Sequence, residues 1–191
     1  MSIVSTSKAI QNLFGTKYYV DFYQRDYKWE REHVETLLDD IFFRFEADYD
    51  PKIDPKNESV SKYAWYYLST YVTNTLDGRK FIVDGQQRLT TITLILIKLY
   101  HLSKAYSNNH HTDWLQQSIY GAHAEGRTYW MGTDDRETAI EHLFTGSESD
   151  DDLELDSKDL TIRNILDNYQ IINKYLDDQL KTAHRAKTFT L

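Results

Sequence analysis

KFIVDGQQRLTTITLILIKLY, residues 80–100, decides the fold. Phe81, Ile82 and Val83 form a short apolar strand, DGQQR at 84–88 is a polar turn, and the rest is a long apolar stretch. Local propensity leaves that stretch ambiguous, because Ile92, Thr93 and Ile95 also suit strands; its length, to about residue 106, decides for a helix. A helix apolar on most sides belongs in the centre of a core. A strand that feeds a helix through a glycine turn points unpaired backbone N–H groups at one spot, which suits an anion such as a phosphate. Arg88 falls in the first helical turn, where the helix dipole mildly disfavours a cation. A bound phosphate or a nearby carboxylate would supply the reason for it. The same residues also admit a reading without a ligand: Asp84 is the N-cap, Gln87 completes a capping-box-like pair, and Arg88 is solvated or paired at the core edge.

Working outward, 65–73 and 80–83 read as strands, and Asp77-Gly78 is a turn signal between them, so the two should form an antiparallel hairpin. Upstream, 7–14 reads as a short helix ended by Gly15, 17–22 as a Tyr- and Val-rich strand, and 30–45 as a helix. In the last, Val34, Leu37, Leu38, Ile41, Phe42 and Phe45 recur at helical spacing. Residues 48–62, with Pro51 and Pro55, read as a loop. Downstream, 112–120 and 134–144 are predicted helices and 127–131 a possible strand. Residues 147–159 carry seven carboxylates and read as a solvated loop. Ile162, Ile165, Leu166, Tyr169, Ile172, Leu176 and Leu180 make the longest amphipathic helix. The expected architecture is α+β: a small mixed sheet with packed helices over residues 1–106, then a helical extension of the same domain over 107–191.

Composition narrows the function. The chain has 191 residues, 40% of them hydrophobic and 15 of them Tyr, enough for a packed core. A net charge of −8 gives no bulk attraction to nucleic acid, so any DNA contact must come from a local patch or another domain. With no cysteine there is no disulfide, thiolate metal site or cysteine nucleophile, which fits a cytoplasmic protein. The N-terminus lacks the pattern of a signal peptide, and the apolar run at 92–97 is too short to span a bilayer, so no membrane partner is expected. No clear element closes the chain after Lys187, as expected of a piece of a longer protein. His110 and His111 are adjacent and point to different faces of most elements, which is poor geometry for a metal centre. No GxxxxGK[ST] segment is present, which excludes a P-loop NTPase.

A second informative stretch is FYQRDYKW, residues 22–29, between a predicted strand and a predicted helix. Arg25 offers a planar fork for phosphate, and Tyr23, Tyr27 and Trp29 are candidates for stacking on a base. The alternative is that Tyr27 and Trp29 plug the core and Arg25 pairs with Asp26 or Asp40.

The order YQRxYxW, an LLxDI helix, YYLSTYV and FIVDGQQRLTT resembles the N-terminal domain family of the GmrSD modification-dependent restriction systems. The resemblance is strongest over residues 23–100. It implies a fold similar to ParB and sulfiredoxin, in which a glycine-x-x-arginine turn at a helix start binds nucleotide phosphates; Gly85 and Arg88 match that pattern. It further implies binding and hydrolysis of a nucleoside triphosphate with Mg²⁺, linked to restriction of modified phage DNA. On that implication Gln24, Arg25, Gly85 and Arg88 hold phosphate, Asp84 holds Mg²⁺, and Asp84, Gln86, Gln87 and Arg88 form the catalytic set. Arg25 and Arg88 should then converge on one pocket. The chain departs from the pattern in three ways. It lacks sulfiredoxin's cysteine, it contains no His-Asn-His nuclease motif, so that partner must be another domain or subunit, and Ser69 stands where many relatives have glycine. Two other functions compete: a non-catalytic module that senses DNA modification or docks a nuclease, and a metal-dependent nuclease that nicks DNA using Asp84, Arg25 and Arg88.

Overall fold

The computed structural model describes residues 4–20, 26–53, 57–106, 109–123, 126–132, 135–146 and 159–181. Among these the architecture is mixed α+β, with six α-helices, a three-stranded sheet and a separate two-stranded one. The order is β1 (Tyr18–Val20), α1 (Arg31–Asp48), α2 (Asn57–Val60), β2 (Val72–Leu76), β3 (Arg79–Asp84), α3 (Gln86–Ala105), α4 (Asn109–Ile119), β4 (Tyr120–His123), β5 (Gly126–Tyr129), α5 (Asp135–Thr145) and α6 (Leu160–Leu180).

β3 is the middle strand. It pairs parallel with β1, Tyr19 opposite Phe81, and antiparallel with β2, Leu76 opposite Arg79. Asp77 and Gly78 make the predicted two-residue turn, both with positive φ (49° and 75°), as a tight hairpin requires. β4 and β5 form the second ribbon.

The helix read from residues 80–100 is the centre of the molecule. On α3, Leu94 and Ile97 are fully buried, and the helix packs against α4, α5 and α6. Thr90, Thr91 and Thr93 are also buried; their hydroxyls bond the carbonyls of Gln86, Gln87 and Leu89 one turn back, which removes the cost of burying them. One hydrophobic cluster joins Ile82 of β3 and Val34 of α1 to Ile140 of α5 and Ile165 of α6, across both halves of the sequence. α6 starts at Asp159, whose carboxylate accepts from the N–H groups of Thr161 and Ile162 at 2.7 and 3.1 Å.

Several local expectations change. Residues 7–14 hold only a 3₁₀ turn at Ile10–Asn12, and the loop read at 48–62 contains α2. The strand read at 65–73 begins at Val72; the aromatic stretch before it has no ladder partner among the described residues, and Trp65 and Tyr67 are exposed. β4 was not expected, because Tyr120 was read as the end of a helix. The acidic segment 147–158 lies outside the described residues.

Candidate functional site

At the end of β3 the chain turns through Gly85, which has φ 90° and ψ 5° and serves as the N-cap of α3. A Cβ at Gly85 would lie 2.8 Å from Tyr71 Cβ and 3.2 Å from Tyr71 Cα, so both the backbone angle and the close approach require glycine. This corrects the capping reading of Asp84. The helix starts one residue later than that reading needs, and Gln87 sits at its second position rather than its third. The Asp84 side chain instead accepts from the Gly85 N–H at 2.8 Å and is otherwise exposed. Among the described residues no side chain takes the first N–H groups of α3.

Arg88 is half-buried in that first turn. Its guanidinium carbon lies 5.8 Å from the centroid of the Trp29 ring, a cation–π contact. No carboxylate among the described residues forms an ion pair with it. Its charge reaches the Tyr66 phenol, where it opposes the upward push from burial and from the hydrogen bond to Asp40. That bond, Tyr66 Oη to Asp40 Oδ2 at 3.1 Å, ties the extended segment before β2 to α1.

The two glutamines part company. Gln87 is spent on the preceding loop: its Oε1 accepts from the Lys28 N–H at 2.8 Å, and its Nε2 donates to the Asp26 carbonyl at 2.9 Å. Gln86 turns the other way, its Oε1 accepting from Arg136 Nη2 at 2.9 Å.

Tyr27, expected as a candidate base-stacking surface, is 0% exposed. The core-plug alternative describes it. Its hydroxyl contacts Thr91 Oγ1 at 2.7 Å and accepts from Asn168 Nδ2 at 3.1 Å. Its N–H donates to Thr161 Oγ1, and its carbonyl accepts from Asn164 Nδ2. Burial pushes its phenol up, and the hydrogen bonds of Thr91 and Asn168 and the charge of Arg136 oppose that rise. Asn168 also donates to the Trp29 carbonyl at 2.7 Å. The 26–29 loop is therefore held by α3 on one side and α6 on the other. Trp29 stays partly exposed, with its ring stacked 5.8 Å from His33. Tyr23, Gln24 and Arg25 lie outside the described residues, and with them the expected meeting of Arg25 and Arg88.

Sequence reasoning missed Arg136, Asn164, Asn168 and Tyr66. Three of these left a signal. Asn164 and Asn168 are polar residues four apart on an amphipathic helix, and Arg136 is a cation in the first turn of α5, the same oddity that marked Arg88.

A cleft of about 570 Å³ opens between the start of α1 and α6, lined in part by Trp29, Glu35, Asn164, Asn168 and Lys174. None of residues 84–88 lines it. Among the described residues no group of three or more His, Asp or Glu side chains is placed to hold a metal, and Asp84 stands at the turn as a single exposed carboxylate. No described helix is long and apolar enough to cross a membrane. Residues 7–190 match the family described as the GmrSD restriction endonuclease N-terminal domain. No curated protein and no solved structure matches the chain.

Proposed function

The chain belongs to the GmrSD restriction endonuclease N-terminal domain family, and from that membership we propose that the turn at residues 84–88 binds a nucleoside triphosphate and supports its hydrolysis. One observation carries the reading. Arg88, half-buried and without a carboxylate partner among the described residues, stands beside the uncapped first turn of α3. A helix N-terminus and a cation repel each other, and a polyanion between them removes the conflict. The αL turn at Gly85 brings the backbone close enough to cradle phosphate oxygens.

In phosphoryl transfer the protein mostly positions groups and stabilises charge. The N–H groups from Gln86 to Arg88, the Arg88 guanidinium and, in the sequence-based reading, Gln24 and Arg25 hold phosphate oxygens. Asp84 keeps one oxygen on the Gly85 N–H, and its other oxygen would hold Mg²⁺. Mg²⁺, when bound, would neutralise charge developing on the phosphates. Gln87 acts through the 26–28 loop rather than on the nucleotide, and Gln86 faces it. The nucleotide would serve a restriction system directed at modified DNA, with strand cleavage supplied by a His-Asn-His type nuclease domain or subunit. Phosphate release from each of the four NTPs, followed across a Mg²⁺ titration with purified protein, tests the reading. Turnover of at least one NTP that depends on Mg²⁺ is expected. No turnover with any of them would return the domain to a non-catalytic sensor or docking module.

A further inference from the structure

The Arg136 side chain is among the largest of those fully buried, 2% exposed, although it carries a charge and lies in the first turn of α5. Both features are unfavourable: burial costs a cation its hydration, and the helix dipole disfavours a cation at that end. Its Nη2 donates to Gln86 Oε1 at 2.9 Å. Gln86 is the first residue of α3, so its side chain is rooted in the turn whose N–H groups face the proposed anion.

A guanidinium only donates hydrogen bonds. Whatever faces it must accept, so the amide of Gln86 has one orientation, with Oε1 toward Arg136 and Nε2 away from it. That Nε2 has no hydrogen-bond partner among the described residues and is not fully buried. The neighbouring Gln87 has no such freedom, since both ends of its amide hold the 26–28 loop.

We propose that Arg136 is a positioning residue for the turn at 84–88: it locks Gln86 as a hydrogen-bond donor and so makes the site select ligands with anionic oxygens. This rests on the phosphate-binding reading and deepens it. Gln86, held in this way, donates to a phosphoryl oxygen or to the oxygen of an attacking water and does not accept a proton from either. The charge of Arg136, one hydrogen bond behind Gln86, adds to the same field.

The test uses tripolyphosphate as the probe, with affinity measured by calorimetry on the whole chain and a thermal melt for each variant. Gln86→Glu keeps an acceptor for Arg136 but replaces the outward donor with a second acceptor. It should melt at or above the wild-type temperature and bind tripolyphosphate at least tenfold more weakly. Arg136→Gln removes the charge and lets the Gln86 amide take either orientation. It should bind threefold to tenfold more weakly, and Arg136→Lys, which restores a donor-only cation, should recover part of the loss. If Arg136→Gln does not fold, Gln86→Glu decides alone. Wild-type affinity in Gln86→Glu overturns the inference while the phosphate site stands. Failure of the wild-type protein to bind tripolyphosphate or any NTP overturns both.

Discussion

At Gly85 two constraints coincide, a φ of 90° and a neighbouring Tyr71 Cβ that an added Cβ would approach to 2.8 Å. Gly85→Ala meets both at once. A left-handed backbone costs an L-residue about 1–2 kcal/mol and overpacking about 1–3 kcal/mol. The variant should therefore lose about 2–5 kcal/mol in denaturant unfolding. A loss below about 1 kcal/mol would mean that the turn relaxes freely and is no rigid cradle. Ser69 presents the opposite case. It sits at φ 136°, a conformation that suits glycine. Strain there costs about 1–3 kcal/mol, partly offset by the extra freedom glycine has in the unfolded chain. Ser69→Gly should thus stabilise the protein by about 1 kcal/mol, and an unchanged or lowered unfolding midpoint would show that Ser69 is comfortable where it is. Sequence marked both positions, Gly85 by its motif and Ser69 as a departure from glycine. The reading without a ligand placed the N-cap at Asp84, because residue type alone does not reveal that a positive-φ glycine can take the N-cap itself. Ordinary capping statistics then point one residue too early.

Between elements the decisive structure is the 26–29 loop, clamped by Gln87 and Thr91 of α3 and by Thr161, Asn164 and Asn168 of α6. It joins residues more than 130 apart in the chain. Asn168→Ala removes the donor to both the Tyr27 hydroxyl and the Trp29 carbonyl. Because buried partners are left unsatisfied, it should cost about 1–3 kcal/mol. It should also couple to Tyr27→Phe in a double-mutant cycle, whereas strictly additive effects would show that the two residues act independently. Hydrophobic periodicity was enough to find α1 and α6, since each buries a stripe that repeats every three or four residues, whereas α3, buried on most sides, was found by its length. It could not find the clamp, which is made of polar side chains whose partners are chosen by tertiary packing. β2 was misplaced for a related reason. Residues 65–71 are rich in aromatics that favour strands, but a strand exists only where a partner runs beside it. The Asp77-Gly78 turn fixes the register of β3 against residues 72–76 instead.

For the molecule as a whole, buried phenols set the response to alkali. Burial pushes the phenols of Tyr18, Tyr27 and Tyr169 up, and that of Tyr129 up to about 12. These groups keep their protons in the folded state after the unfolded chain, with tyrosines near pH 10, has begun to lose them. Their contribution is therefore complete below about pH 10 and is lost as pH rises through the folded values, toward about 12 for Tyr129. Melting temperature should fall steeply above about pH 10, with phenolate absorbance of these tyrosines appearing only on unfolding; a flat profile to pH 12 would contradict the burial assigned to them. The mixed sheet around β3 and the central helix were legible in residues 80–100, since strand, turn and helix lie there in direct succession. The site was half legible: the motif gave the turn, while Arg136 and Tyr66 reach it only through the fold. Arg88 is the residue on which phosphate binding at this turn depends most. Calorimetric titration of NTP in Mg²⁺ into wild-type protein and Arg88→Ala, paired with thermal melts, measures its role directly. The variant should lose about 1.5–3 kcal/mol of binding, the range for a hydrogen bond to a charged group. Its melting temperature should change little, because among the described residues the Arg88 side chain makes no ion pair or hydrogen bond and its contact with the Trp29 ring is a half-exposed cation–π pair. Equal nucleotide affinity with a large fall in melting temperature would contradict the account and make Arg88 a structural residue.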